Sequence, residues 1–266
     1  MNGTLQDRLE VFFHNISLSD NQQGEAQNRA REICRFLGEG KMVHDCFVSG
    51  SLSRSTALRG FSDIDLVVTL SNTSSDIRPA SIISDLLKTL LTRYPGSEVS
   101  ENTVRIRFPD GPGVDVLPAL KLAGTSDRET YKIPTFNLES WQEFSPNELT
   151  QRVREIDSRC RGDFTRLIKL IKWWSNLHGK PIPSFKIEQI ASIAFAREMP
   201  EISQAVVVFF DAAIRQYAET SRVPSEILEA HATAKRAAEL EESGDTQGSI
   251  EHWGCLLGDQ YPTVIV

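Results

Sequence analysis

Three aspartates are the residues of this sequence whose type and spacing could support chemistry. Asp63 and Asp65 stand two residues apart in the strand-like run SDIDLVVTL, and Asp115 lies in a second apolar run, GVDVLPAL. Side chains two apart on a strand emerge on the same face, so we expect both aspartates of the pair on one side of a sheet. A third carboxylate from a neighbouring strand would complete a cluster of oxygen ligands.

Such a cluster suits divalent cations, which prefer oxygen ligands when they are hard. Three carboxylates can hold two Mg²⁺ ions, or Mn²⁺ in their place, while phosphates fill the remaining positions. One ion would lower the pKa of an attacking ribose hydroxyl, and the other would neutralise charge on a triphosphate and on the departing pyrophosphate. An isolated Asp-x-Asp pair can also do no more than face solvent from an edge strand. We expect Asp63, Asp65 and Asp115 to be catalytic metal ligands.

A Gly-Ser turn precedes the first two aspartates in the segment FVSGSLSRSTALRGFSDIDLVVTL. Gly50 allows close backbone approach, and Ser51 offers a hydroxyl and an N–H at the start of a predicted helix, where free amides and the helix dipole stabilise phosphate. A Gly-Ser pair alone is more often only a turn. Because the turn stands before the aspartates, we predict that Gly50 and Ser51 bind a nucleotide phosphate.

The helical and strand-like patterns of the segments that must position these residues predict a two-lobed α/β fold. In residues 1–145, helical patterns alternate with strand-like runs, which predicts N-terminal helices and a mixed sheet that holds the aspartates. Residues 146–266 carry one helical pattern after another and predict a helical lobe that closes a cleft over nucleotides. Residues 121–150 are rich in Pro, Ser, Asn and Gly and predict an irregular connection.

Composition narrows the possible partners. The net charge is −7, which argues against an extended nucleic-acid surface, since such surfaces rely on clustered Lys and Arg. The four cysteines, at 34, 46, 160 and 255, form no CxxC pair, so we expect neither a zinc knuckle nor a disulfide framework. Neither a signal peptide nor an apolar run long enough to cross a membrane is visible, so we expect a cytoplasmic protein without a membrane partner.

The segments GSLSRSTALRGFSDIDLVV and GVDVLPAL resemble the nucleotidyltransferase core shared by 2′-5′ oligoadenylate synthetases, cyclic GMP-AMP synthase and the bacterial CD-NTases. The resemblance implies a polymerase β-like fold in which the three aspartates bind metal and the Gly-Ser turn binds phosphate. The tail AAELEESGDTQGSIEHWGCLLGDQYP is similar to the closing helices of bacterial CD-NTases and favours that group. A Cys/His cluster like the zinc-bearing insertion of cyclic GMP-AMP synthase is absent from the sequence.

Two segments of the helical lobe extend the resemblance. In the family, a lysine in a helix similar to RLIKLIKWW reaches the donor triphosphate; Lys172 matches it, and Lys169 is the second candidate. A serine-aromatic step similar to PIPSFKIEQ places the serine on phosphate and the ring on a base, which implies these roles for Ser184 and Phe185. From the residues alone, the lysines could simply form a solvated face, Ser184 a helix N-cap and Phe185 a core residue.

The resemblance implies a Mg²⁺-dependent enzyme that joins NTPs, ATP among them, into a cyclic di- or trinucleotide and releases pyrophosphate. The product would activate a separate effector protein in antiphage defence. One alternative is synthesis of a linear oligonucleotide, or nucleotide transfer to an RNA or protein acceptor, although the acidic net charge speaks against tRNA. A second alternative is a non-catalytic nucleotide sensor, which the three intact aspartates disfavour.

Overall fold

The computed structural model describes residues 4–71, 76–122, 129–220 and 222–263. The chain divides into two compact units: Leu18–Gln151, here called the sheet unit, and Met1–Ser17 together with Arg152–Val266, here called the helical unit. A mixed sheet occupies the first unit and helices make up the second, so the predicted α/β class is confirmed.

The described part of the sheet unit contains a seven-stranded mixed sheet. Its strands are β1 Val43–Val48, β2 Ile64–Leu70, β3 Ser97–Ser100, β4 Thr103–Ile106, β5 Val114–Lys121, β6 Tyr131–Pro134 and β7 Trp141–Phe144. The order is β1-β2-β5-β4-β3, and β6 pairs with both β5 and β7. Strands β2 and β5 are parallel, whereas the other pairs are antiparallel. The two strands that carry the predicted metal ligands are therefore direct neighbours.

Helices α2 Asp20–Gly38, α3 Gly50–Ser53 and α4 Pro79–Leu91 complete the sheet unit. A capping box formed by Ser19 and Gln22 begins α2. One buried cluster joins the apolar faces of α2 and α4 to alternate residues of β2, β4 and β5, namely Ala26, Ala30, Ile33, Leu37, Ile64, Leu66, Val68, Ile83, Leu86, Leu90, Val104, Ile106, Val114 and Val116. Val67 belongs to a second cluster on the other face. Strand β2, which carries Asp65 and follows Asp63, is thus buried on both faces.

Part of the predicted irregular connection is regular structure. Strands β6 and β7 lie within residues 121–150 and form an antiparallel pair, and the Trp141 indole N–H donates to the Ile77 carbonyl at 2.9 Å. The prediction was wrong here because two four-residue strands, one ending in proline, carry too little alternation to reveal a ladder. Residues 123–128 of that connection lie outside the described ranges.

Two of the four cysteines form a single disulfide, which the sequence did not predict. Cys34 on α2 and Cys46 on β1 are bonded to each other, with Cα atoms 5.6 Å apart. The sequence spacing suggests no such pair, because it is the packing of α2 against the sheet that brings the two residues together. Cys160 and Cys255 are free thiols.

The helical unit contains α1 Leu5–Ile16, α6 Asp163–Leu177, α7 Ser184–Ala194, α8 Ile202–Thr220, α9 Ser225–Glu242 and α10 Thr246–Leu257, and α5 Pro146–Arg159 spans the point where the chain passes between the units. The division predicted at residue 145 leaves α1 with the sheet. In the structure α1 belongs with the helices, because Phe12 packs against Trp173 and Tyr261. Among the described helices, none is long and apolar enough to cross a membrane.

Candidate functional site

Three neighbouring strands bring acidic and basic side chains to one face of the sheet. In strand register, Asp65 of β2 lies beside Asp115 of β5, and Asp115 lies opposite Arg105 of β4. Residues paired in register on adjacent strands point to the same face, about 5 Å apart. Asp63, two residues before Asp65, faces the same way. The structure therefore places the three predicted aspartates on one face of the sheet, together with an arginine that was not among the predicted site residues.

Gly50 lies directly against the middle aspartate. Its φ of +64° is in the left-handed region, and a Cβ added to it would stand 1.6 Å from the Asp65 Oδ2 atom. The turn is held to the strand by the Ser49 N–H, which donates to the Asp65 carbonyl at 2.8 Å. Ser51 follows in the four-residue helix α3. The group that lies close to the Gly50 backbone in this structure is the Asp65 carboxylate, and phosphate binding by Gly50 and Ser51 stays a prediction.

Arg105 binds the third aspartate through a two-point contact. Its Nε and Nη2 atoms donate to the two carboxylate oxygens of Asp115 at 2.8 and 2.7 Å, and Nη2 lies 3.4 Å from the Asp63 carboxylate. These hydrogen bonds, which Arg105 donates to Asp115, raise the pKa of the guanidinium above its usual value. The alternation in TVRIRF could have placed Arg105 on the polar face, but the register that sets it against Asp115 depends on the hairpin.

Each of the three predicted metal ligands contacts a different neighbouring group. Asp115 is bound by Arg105, Asp63 accepts the Gly113 N–H at 3.1 Å, and Asp65 lies on Gly50. Within the described ranges, no group of three or more His, Cys, Asp or Glu residues is gathered closely enough to hold a metal ion. The donor set itself fits a hard divalent cation, because it consists of three carboxylates on one face with two of them on adjacent strands.

In the helical unit, Lys172 is buried beside an acidic partner. Its Nζ atom donates to the Glu188 Oε1 atom at 2.6 Å, and the two side chains are 3% and 0% exposed. Glu188 was not among the predicted site residues, and only its position four residues after Ser184 on the core-facing side of α7 could have suggested it. Lys172 is therefore held by a carboxylate in this structure, and its contact with a triphosphate stays a prediction.

Lys169 lies one turn earlier on α6 and is half-buried. Its ammonium donates to the Ser17 hydroxyl at 3.0 Å, and burial, with a smaller effect from nearby Arg166, lowers the pKa of this lysine. The simple solvated face that the lysine spacing allows is thus wrong for Lys169 and Lys172 alike. Contact of Lys169 with a nucleotide stays a prediction.

The serine-aromatic step stands at the beginning of α7. Ser184 is the first residue of the helix, after Pro183 at the N-cap position, and its side chain is exposed. Phe185 is 60% exposed. The two simpler roles, N-cap for Ser184 and core residue for Phe185, are therefore wrong, and both side chains are accessible to a ligand.

A family model described as the Second Messenger Oligonucleotide or Dinucleotide Synthetase domain matches residues 3–157, a range that includes Gly50, Ser51 and all three aspartates. The chain belongs to this family. Its CD-NTase members form the group that the sequence resembles, so the suspected membership is confirmed.

The individual proteins that match this chain share less than 30% of its residues over the matched ranges. The cyclic AMP-AMP-AMP synthase of an Acinetobacter species is 28% identical over 165 residues, and the match covers 58% of this chain but only 46% of that protein. Among solved structures, CdnG of Bradyrhizobium diazoefficiens in complex with GTP has a TM-score of 0.77 at 14% identity and 98% coverage of both chains. CdnC of E. coli MS115-1 with ATP has a TM-score of 0.74 at 16% identity, covering 96% of this chain and 98% of that one. These structures confirm the polymerase β-like CD-NTase fold.

Proposed function

We propose that this CD-NTase is a metal-dependent nucleotidyltransferase that joins NTPs, ATP among them, into a cyclic di- or trinucleotide and releases pyrophosphate. The observation that carries the proposal is the row of carboxylates on one sheet face, with Asp65 and Asp115 in register on parallel strands and Gly50 beneath Asp65. Family membership and the match to a cyclic AMP-AMP-AMP synthase support a cyclic product. We place the reaction in the cytoplasm, the compartment that holds NTPs.

Asp63, Asp65 and Asp115 would hold the metal, for which we propose two Mg²⁺ ions, or Mn²⁺ in their place. When bound, the ions would neutralise triphosphate charge and lower the pKa of the attacking ribose hydroxyl. Gly50 serves this site by leaving room for the Asp65 carboxylate, since any side chain there would collide with it. The backbone of Gly50 and Ser51 is our candidate for the phosphate contact.

In the helical unit we propose Ser184 and Phe185 as nucleotide contacts. The support is their accessibility, because an exposed phenyl ring can stack on a base and an exposed hydroxyl can donate to a phosphate. Lys172 could reach a triphosphate only by exchanging its bond with Glu188 for one with the phosphate, and Lys169 would have to leave Ser17 in the same way.

The product would act on a separate effector protein in antiphage defence. This part of the proposal rests on the family alone, whose description is that of second-messenger synthesis. A second messenger needs a receptor that recognises it, and a cyclic oligonucleotide suits this role because it lacks the terminal phosphates that phosphatases remove.

The test is product analysis with all four NTPs and Mg²⁺, followed by phosphatase treatment and mass spectrometry. We expect a phosphatase-resistant product that contains adenine. Substitutions Asp65→Asn and Asp115→Asn should each reduce its formation by at least about a hundredfold, because a carboxamide is a far poorer metal ligand than a carboxylate. Asp110→Asn is the matched control, since this aspartate has a largely exposed side chain and is not one of the three predicted metal ligands.

Other outcomes would identify the alternatives. Products that phosphatase degrades would indicate linear synthesis, and α-phosphate label in a macromolecule would indicate transfer to an acceptor. NTP binding without turnover, unchanged by the Asp65 and Asp115 substitutions, would contradict the proposal and favour a sensor.

A further inference from the structure

Arg105 occupies a position that a metal ion would also require. Its guanidinium engages both carboxylate oxygens of Asp115, at 2.8 and 2.7 Å, and reaches to 3.4 Å from Asp63. A divalent cation on the same face would need oxygens from these same carboxylates. Arg105 and a metal ion would therefore compete for the same carboxylate oxygens.

The position of Arg105 follows from the sheet. Val104 and Ile106, its neighbours on β4, are buried in the core, so Arg105 points to the opposite face, where Asp115 lies across from it in register. The adjacent carboxylates of Asp65 and Asp115 repel each other when no cation lies between them. A fixed guanidinium relieves this repulsion while leaving the site open to solvent, because Arg105 and Asp63 stay partly exposed.

A second arginine, two residues after Arg105, provides a comparison for its contacts with the aspartates. Arg107 follows β4 and pairs with Glu98 on β3, and both side chains are exposed. It has the same charge and lies two residues away, but it contacts none of the three aspartates in the described hydrogen bonds and ion pairs. What distinguishes Arg105 is its carboxylate partners.

We propose that Arg105 is the built-in counter-ion of the carboxylate site: it holds Asp115 and Asp63 in the metal-free protein and must release Asp115 when a divalent cation binds. Arg105 is then a positioning residue that sets the affinity for metal, and it prevents the site from filling at low metal concentration. This inference rests on the proposed function, in that the same carboxylates are the ones assigned to the catalytic metal.

The experiment measures binding of Mn²⁺ alone to the metal-free, nucleotide-free chain by the electron paramagnetic resonance signal of free Mn²⁺. Removing one positive charge a few ångströms from a divalent cation should tighten binding in Arg105→Gln by roughly three- to tenfold. Arg105→Lys, which keeps the charge but not the two-point contact, should fall between this variant and wild type. Arg107→Gln should bind as wild type does.

Thermal unfolding gives an independent readout. In EDTA, Arg105→Gln should unfold at a lower temperature than wild type and Arg107→Gln, because the aspartates lose their counter-ion. Saturating Mn²⁺ should raise the unfolding temperature of Arg105→Gln by more than that of wild type, since a tighter ligand stabilises the folded state more. Equal or weaker Mn²⁺ binding by Arg105→Gln, or no Mn²⁺ binding by any variant, would overturn the inference.

The two proposals can fail separately. If wild type makes no nucleotide product but Arg105→Gln binds Mn²⁺ more tightly, the proposed function is wrong and the counter-ion role stands. If wild type makes the cyclic product but the Arg105 and Arg107 variants bind Mn²⁺ equally, the counter-ion role is wrong and the function stands.

Discussion

At the scale of single residues, the lack of a side chain at Gly50 leaves the space that the Asp65 carboxylate occupies. A methyl group at Gly50 would stand 1.6 Å from Asp65 Oδ2, far inside any contact distance. We therefore expect Gly50→Ala to displace Asp65 and to reduce product formation by at least about a hundredfold, in addition to a backbone strain of about 1–3 kcal/mol at this positive φ. Rates of product formation and thermal unfolding measure the two effects.

Gly60→Ala is the control for that strain. Gly60 also has a positive φ, +79°, but a Cβ added there meets nothing within 4 Å. This variant should lose a similar amount of stability and keep its activity. If both variants lose activity equally, backbone strain and not the contact with Asp65 is responsible.

The sequence identified the residues whose roles depend on local spacing. Asp63 and Asp65 share a face because strand side chains alternate, and that is visible in any strand-like run. Arg105 and Glu188 could not be found in this way, because their partners are fixed by hairpin register and by helix packing. A one-residue slip of β4 against β5 would have sent Arg105 to the core face instead.

At the scale of elements, the buried ion pair of Lys172 and Glu188 joins α6 to α7. Removing one partner of the Lys172–Glu188 pair leaves an uncompensated charge in the core, so Glu188→Gln should cost about 3–5 kcal/mol in the free energy of unfolding. Replacing both residues, as in Lys172→Met with Glu188→Leu, should recover much of this loss. The partly exposed pair of Glu10 and Arg166 is the control, and Glu10→Gln should cost at most about 1 kcal/mol.

The double variant also separates structure from function at Lys172. If Lys172 contacts the donor triphosphate, the double variant will be stable in urea titration but deficient in product formation. Recovery of both stability and activity would assign Lys172 a structural role only. Additive losses in the double variant would contradict the pairing.

Helices were easier to predict than strands for a physical reason. Helices α6 to α10 run over several turns, so their apolar residues recur often enough to define a face. Strands β3, β6 and β7 have four residues each, and β3 even exposes its one apolar residue, Val99. Such strands exist because a neighbouring strand offers hydrogen bonds, and this pairing is not encoded in four letters.

At the scale of the whole molecule, the helical unit is built from two separate stretches of chain. Sequence order suggested that α1 stays with the sheet that follows it. Its buried face, which includes Leu9, Phe12, Phe13 and Ile16, instead completes the core of helices encoded more than a hundred residues later. Periodicity shows that a helix has an apolar face, but it does not show which partner covers that face.

Two adjacent residues of α1 can test whether this helix is part of the core of the helical unit. Phe12 is fully buried between Trp173 and Tyr261, whereas Val11 is 41% exposed. Phe12→Ala should destabilise the helical unit by about 3–5 kcal/mol, and Val11→Ala should change its stability by about 0.5 kcal/mol or less. Three of the four tryptophans, Trp173, Trp174 and Trp253, lie in this unit, so tryptophan fluorescence during urea unfolding reports mainly on it. Equal midpoints for the two variants would mean that α1 adds nothing to the core of the helical unit.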